Sequence, residues 1–154
     1  FSDSLLAILA QRLVRRLCKQ CVESRPARAD EIEALAHHYL DGEAQRGDRE
    51  VAQLIARWRT DYGQPDASGA RQLHTHVRHG CEACEQRGYK GRLGIYELML
   101  CDDAIRHHIR RRASAGEIRQ SALASGMHTL RQDGIEKVVA GLTDLSEVIA
   151  ATNM

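Results

Sequence analysis

The sequence predicts a mainly α fold with a small β element, in which two cysteine pairs staple one subdomain and a helical bundle closes the chain. Three observations carry that reading. Apolar residues recur at i, i+3, i+4 and i+7 along much of the 154-residue chain, the spacing of a buried helix stripe. Capping residues stand where several of those stripes begin, most clearly Ser114 with Glu117 three residues on. Residues 87–100 depart from the pattern: Gly88, Gly91 and Gly94 precede Ile95-Tyr96-Glu97-Leu98-Met99-Leu100, which reads as glycine turns feeding a strand.

Taken in order, residues 4–19 read as an amphipathic helix, with Leu6, Leu9, Leu13 and Leu17 on one stripe and Arg12, Arg15, Arg16 and Lys19 opposite; Ser2, Asp3 and Ser4 offer N-cap oxygens. Pro26 ends that pattern. Asp30 with Glu33 caps a short helix through Tyr39 and Leu40, and residues 42–48 form a turn. Val51, Leu54, Ile55 and Trp58 mark a second helix over residues 49–60 that ends near Gly63. Residues 64–70 have loop chemistry, and residues 72–78 alternate loosely enough for a short strand. Helices then follow over residues 104–112, from Ser114 through Ala124, over residues 130–140, and after the Thr143-Asp144 cap. The expected organisation is two parts. Residues 1–100 hold the first helix, the cysteine module with its helical insert, and the strand; residues 101–154 form a bundle with Ile105, Ile109, Ile135, Val138 and Val148 inward.

Charge and composition exclude several classes. Lys plus Arg number 22 against 21 Asp plus Glu, a net charge of +1, so the large cationic excess of a nucleic-acid domain is missing. Hydrophobic residues make up 43% with only two Pro, which is not the composition of a disordered chain. No run approaches a membrane span, and no signal-peptide pattern is present. The chain opens with Phe1 instead of Met, which reads as a piece of a longer protein.

The strongest chemical signal is Cys18-x-x-Cys21 with Cys81-x-x-Cys84. A two-residue gap lets both thiolates of one pair reach the same ion, and two pairs complete a tetrahedron around Zn2+. Such a closed site leaves no position for water, so its role is structural. Disulfides or a thioredoxin-like redox pair are the competing readings; the first lacks a secretory context and the second needs one pair only. The gap between Cys21 and Cys81 is longer than in ordinary zinc ribbons. Cys101 reads as a free thiol, and His74, His76 and His79 as a solvated loop, although one could replace a cysteine as ligand. The basic run at Arg106, His107, His108, Arg110, Arg111 and Arg112 is a solvated face or a surface for an acidic partner. Gly42 and Gly47 have phosphate-loop spacing, but Asp48-Arg49 stands where Lys and Ser or Thr are required. No catalytic constellation is present in this sequence.

The segment Leu9-Ala-Gln-Arg-Leu-Val-Arg-Arg-Leu-Cys18-x-x-Cys21 resembles the approach to the first zinc knuckle of the motor ATPases that drive type II secretion and type IV pilus assembly. Cys81-Glu-Ala-Cys84-Glu-Gln-Arg-Gly-Tyr-Lys-Gly-Arg-Leu-Gly-Ile-Tyr-Glu-Leu98 is similar to their second knuckle and following strand. Gly126-Met-His-Thr-Leu-Arg-Gln-Asp-Gly134, together with Val138-Val-Ala-Gly-Leu-Thr-Asp-Leu-Ser-Glu-Val148, resembles their C-terminal bundle, and Ala104-Ile-Arg-His-His-Ile-Arg110 a helix of the pilus-retraction relatives. The insert between the knuckles is longer than that pattern expects. The resemblance implies the C-terminal part of a RecA-like P-loop motor domain, with zinc at Cys18, Cys21, Cys81 and Cys84 and with ATP and Mg2+ bound only by the parent protein. It implies a homohexamer, peripheral on the cytoplasmic side of the inner membrane and working on a platform protein there. Arg12 and Arg92 fall at motif positions implied to face the nucleotide side, and the piece alone should be inactive. The alternative is a free-standing zinc-binding adaptor docking a partner through its basic helix.

Overall fold

The computed structural model describes residues 1–40 and 47–153. Its elements are β1 (Ala7–Leu17), β2 (Glu23–Pro26), α1 (Ala29–Leu40), α2 (Asp48–Tyr62), β3 (Gln64–Pro65), β4 (Arg71–Gln72), β5 (His74–Val77), a 3-10 turn (Glu82–Cys84), β6 (Tyr89–Leu100), α3 (Asp103–Arg110), α4 (Ala115–Ala124), α5 (Leu130–Val139) and α6 (Leu145–Thr152). The turn expected over residues 42–48 lies mostly outside the described residues. Among the described residues six helices combine with three two-stranded antiparallel sheets, so the fold is mixed, not mainly α. No described helix is long and apolar enough to cross a membrane.

The first segment is a strand, which corrects the helix expected over residues 4–19. β1 pairs with β6 in one antiparallel ribbon, with Leu9 opposite Leu98, Arg12 opposite Ile95, Val14 opposite Leu93 and Arg15 opposite Arg92. Leu, Arg, Gln and Ala favour helix locally, and four leucines happen to fall at helical spacing. The partner strand is remote in sequence, and pairing with it decides the matter. Period two then assigns the faces: Val14 is buried beside Ile95 and Leu130, whereas Leu9 and Leu13 remain 61% and 56% exposed.

Helices cover one side and part of both edges of the ribbon. On the β6 edge, α5 supplies Asp133, which accepts the Tyr96 N–H at 2.8 Å, and Lys137, which donates to the Gly94 carbonyl at 2.7 Å. On the β1 edge, Glu147 of α6 accepts the Arg15 N–H at 2.8 Å and the Leu142 carbonyl accepts the Leu17 N–H at 3.0 Å. The insert is helical as expected, and it enters the largest core: Ile32, Ala36, Tyr39, Leu54 and Trp58 of α1 and α2 pack with Ile135, Val139 and Val148 of α5 and α6. The expected four-helix bundle is therefore divided. α3 and α4 bury Ile105 and Ala122 in a separate cluster with Cys101, joined by Leu5 and Met99 from the ribbon end. The apolar stripes of α5 and α6 face the insert helices instead.

Candidate metal centre

The ribbon delivers the four cysteines to one place. β1 runs directly into Cys18, and its last paired residue, Leu17, stands opposite Tyr89, the first residue of β6. The Cys18 N–H donates to the Gly88 carbonyl at 2.9 Å, which fixes the first knuckle against the start of β6. The long gap between the pairs is closed by a second ladder: β2, just after Cys21, pairs with β5, just before Cys81, with Glu23 opposite Val77. Residues 27–73 are thus a loop tied off at its base. Its length has no bearing on the cysteine geometry.

All five cysteines are free thiols, and Cys101 is buried in the α3–α4 cluster away from the others. The Sγ atoms of Cys18, Cys21, Cys81 and Cys84 lie within 4.8 Å of one another. Cys18 to Cys81 is 3.9 Å, Cys21 to Cys84 3.8 Å and Cys81 to Cys84 3.7 Å. Sulfurs bound at ~2.3 Å around one tetrahedral zinc stand about 3.8 Å apart, so the donor set fits a single ion. Cys18 and Cys84 are buried, and Cys21 and Cys81 half-buried.

Backbone donors prepare the site for negative charge. The N–H groups of Gly88 and Cys81 point at Cys84 Sγ from 3.1 and 3.3 Å. Burial alone would raise the Cys84 thiol, but these donors bring it down to about 6. Among the described residues Cys21 has no such backbone donors; burial and the neighbouring sulfurs push it up to about 12. Gly88 has φ +76°, and a Cβ there would lie 2.1 Å from the His79 carbonyl oxygen, so glycine is required. Arginine and lysine side chains lie beside the site, with Glu85 among them. The Arg15 and Arg78 guanidiniums lie 4.2 and 4.7 Å from the Tyr89 ring centroid, and Arg87, Lys90 and Arg92 line the adjoining cleft with Arg15. Four thiolates around a divalent ion carry a net double negative charge; Arg15 and Arg87 are already paired with Glu147 and Glu85, and the N–H groups at Cys84 Sγ are the donors that meet it directly. His79 bonds Glu23 at 2.7 Å, and among the described residues no His joins the sulfur set.

The family model described as "Type II/IV secretion system protein" matches residues 1–150. The chain belongs to that family. It is 40% identical over 98% of its length to a type IV pilus assembly ATPase PilB of Thermus thermophilus, spanning 14% of that protein. It is 38% identical over 98% of its length to a type II secretion system protein E of Klebsiella pneumoniae, spanning 24% of it, and 36% identical over 97% to a PilB of Myxococcus xanthus, spanning 22%. The chain therefore spans a quarter or less of these secretion-system relatives.

Within this member of the secretion family, Arg12 and Arg92 are not brought together. Arg92 stands opposite Arg15 and Arg12 opposite Ile95, so the two occupy opposite faces of the ribbon. Arg92 lies on the open face beside the metal centre, and Arg12 lines a cleft toward α5 and the end of α6. Reading the sequence residue by residue missed Gly88 as a functional position. Its signal was available: a glycine four residues after Cys84, where the chain must turn back under the sulfurs.

Proposed function

We propose that this chain is the zinc-stapled C-terminal part of a hexameric motor ATPase serving type II secretion or type IV pilus assembly. The observation that carries the reading is the four-sulfur site at the root of the β1–β6 ribbon, in a chain of this family. Zn2+ held by Cys18, Cys21, Cys81 and Cys84 is structural. It locks the root of the ribbon and the tied-off loop, so that α1 and α2 are presented to α5 and α6 as one body. The exposed large hydrophobics Leu9, Leu13, Leu98 and Leu100 of the ribbon support packing against further parts of a larger protein. In that protein ATP and Mg2+ bind outside this chain. Residues 1–100 act as the zinc module and residues 101–154 as the coupling helices, contacting neighbouring subunits and a platform protein at the cytoplasmic side of the inner membrane. Arg92, on the open face, serves the nucleotide side; Arg12 faces the other way and serves a nucleotide only across a subunit boundary.

Metal analysis of the reduced chain tests the reading. One zinc per chain is expected, and Cys84→Ser should lose it with a marked loss of stability. Zinc content unchanged in that variant, or iron in its place, would overturn the assignment. Calorimetry with ATP should give no micromolar binding to this chain and clear binding to the longer protein.

A further inference from the structure

A groove runs along the helix side of the ribbon and changes character along its length. One half, of about 410 Å³, is apolar and is lined by Leu5, Ile8, Met99, Ile109, Ile118 and Met127. The other, of about 570 Å³, is polar and is lined by Arg12, Arg119 and Arg131 with Thr129, Thr152 and Asn153. The halves share Ala10, Glu97 and Arg119 and so adjoin.

Two of the cations in the polar half, Arg119 and Arg131, have no carboxylate partner among the described residues. Glu97 is already engaged, accepting the Leu130 N–H at the start of α5 at 2.9 Å. Arg131 donates to a neutral partner, Thr152 Oγ1, at 3.1 Å, and Arg119 forms no ion pair among the described residues. Elsewhere Arg15, Arg57 and Arg111 each meet a carboxylate. We propose that this groove docks an acidic amphipathic segment of another protein, its apolar side chains in the half lined by Ile8, Met99 and Ile118 and its carboxylates at Arg119 and Arg131. A free small anion would leave the apolar half wet. A purely apolar segment would bury the guanidiniums without partners, which is strongly unfavourable. Nucleic acid needs cations spread along a backbone track, and here they sit at one end only. The proposal does not depend on the motor reading.

The probe is a short synthetic peptide with leucines at i, i+3 and i+7 and glutamates between them, titrated into the isotope-labelled chain and followed by NMR. Two controls replace its glutamates by lysines or its leucines by serines. The acidic apolar peptide should shift the amides of Met99, Ile118 and Arg119, and both controls should bind about tenfold more weakly or worse. Arg119→Glu/Arg131→Glu should weaken binding by about tenfold or more, with thermal melts as the check on folding. Should that pair misfold, Arg119→Gln/Arg131→Gln gives the same test, with a smaller loss expected. Equal binding of the lysine peptide, shifts confined to other surfaces, or unchanged affinity in the glutamine pair overturns the proposal. So does displacement of the peptide by ATP, or self-association of the chain through this groove that the peptide does not compete away.

Discussion

Gly88 donates its backbone N–H to Cys84 Sγ at 3.1 Å. Its carbonyl, on the other side of the residue, accepts the Cys18 N–H, so one glycine ties both cysteine pairs to the first residue of β6. This is an outer-shell contact of the kind that orients a metal ligand and stabilises its charge.

Gly88→Ala should therefore retain all four ligands and still bind metal more weakly. The φ of +76° disfavours a side chain, and the new Cβ would strike the His79 carbonyl. Competition with a chelator should show affinity lowered by about 10- to 100-fold. Wild-type affinity would mean that the turn relaxes without disturbing Cys84.

Gly134 permits the close approach of α5 to α6. A Cβ there would lie 2.5 Å from Val148 Cγ1, and Val148 is fully buried and stiff at χ1. Gly134→Ala should destabilise by about 1–3 kcal/mol despite the better helix propensity of alanine. Adding Val148→Ala should recover part of the loss, giving a non-additive pair in denaturant titrations.

Acid sensitivity should centre on Glu31. Hydrogen bonds from Arg25 and Thr75 hold its carboxyl down at about 2, from an ordinary value of 4.5. Because the folded value is the lower one, this stabilisation is present above the unfolded value and is lost as pH falls from about 4.5 toward 2. Removing the charge with Glu31→Gln should cost about 1–3 kcal/mol at neutral pH, and the difference should vanish near pH 2. Melting temperatures of both proteins across that range make the measurement. A constant difference at all pH values would assign the effect to packing.

The basic face of α3 should matter little for stability. Arg106 and Arg110 pair with Asp103 and Asp3, both highly exposed. Arg106→Ala/Arg110→Ala should leave stability within about 1 kcal/mol of wild type. If α3 is a coupling surface, the same pair in the full-length protein should reduce secretion or pilus assembly. Normal transport would leave it a solvated face.

Legibility in the sequence followed the range of the interactions. The Ser114–Glu117 and Thr129–Gln132 capping boxes are local, and both form, although only the first is read directly from sequence. The four cysteines were legible because two-residue gaps are a local constraint, and they meet as expected. β1 was not legible as a strand. Its leucines at helical spacing satisfy a helix as well as a ribbon, and only pairing with residues 89–100 distinguishes the two. The same holds for the insert: Trp58 and Ile32 announce amphipathic helices, but nothing near them in sequence says that their partners are Ile135 and Val148.

Asp133 and Lys137 do more than fasten α5 to the ribbon. They occupy the hydrogen-bonding groups at Tyr96 and Gly94 that another strand would need, so the β6 margin is sealed there. The β1 margin is sealed only at Arg15 and Leu17; the outward backbone groups of Leu9, Gln11 and Leu13 have no partner among the described residues. The ribbon is thus a seam with a handedness. A strand added in register can join beside Gln11 and Leu13 and not beside Gly94 and Tyr96, so at that level of the ribbon a sheet can widen only from β1.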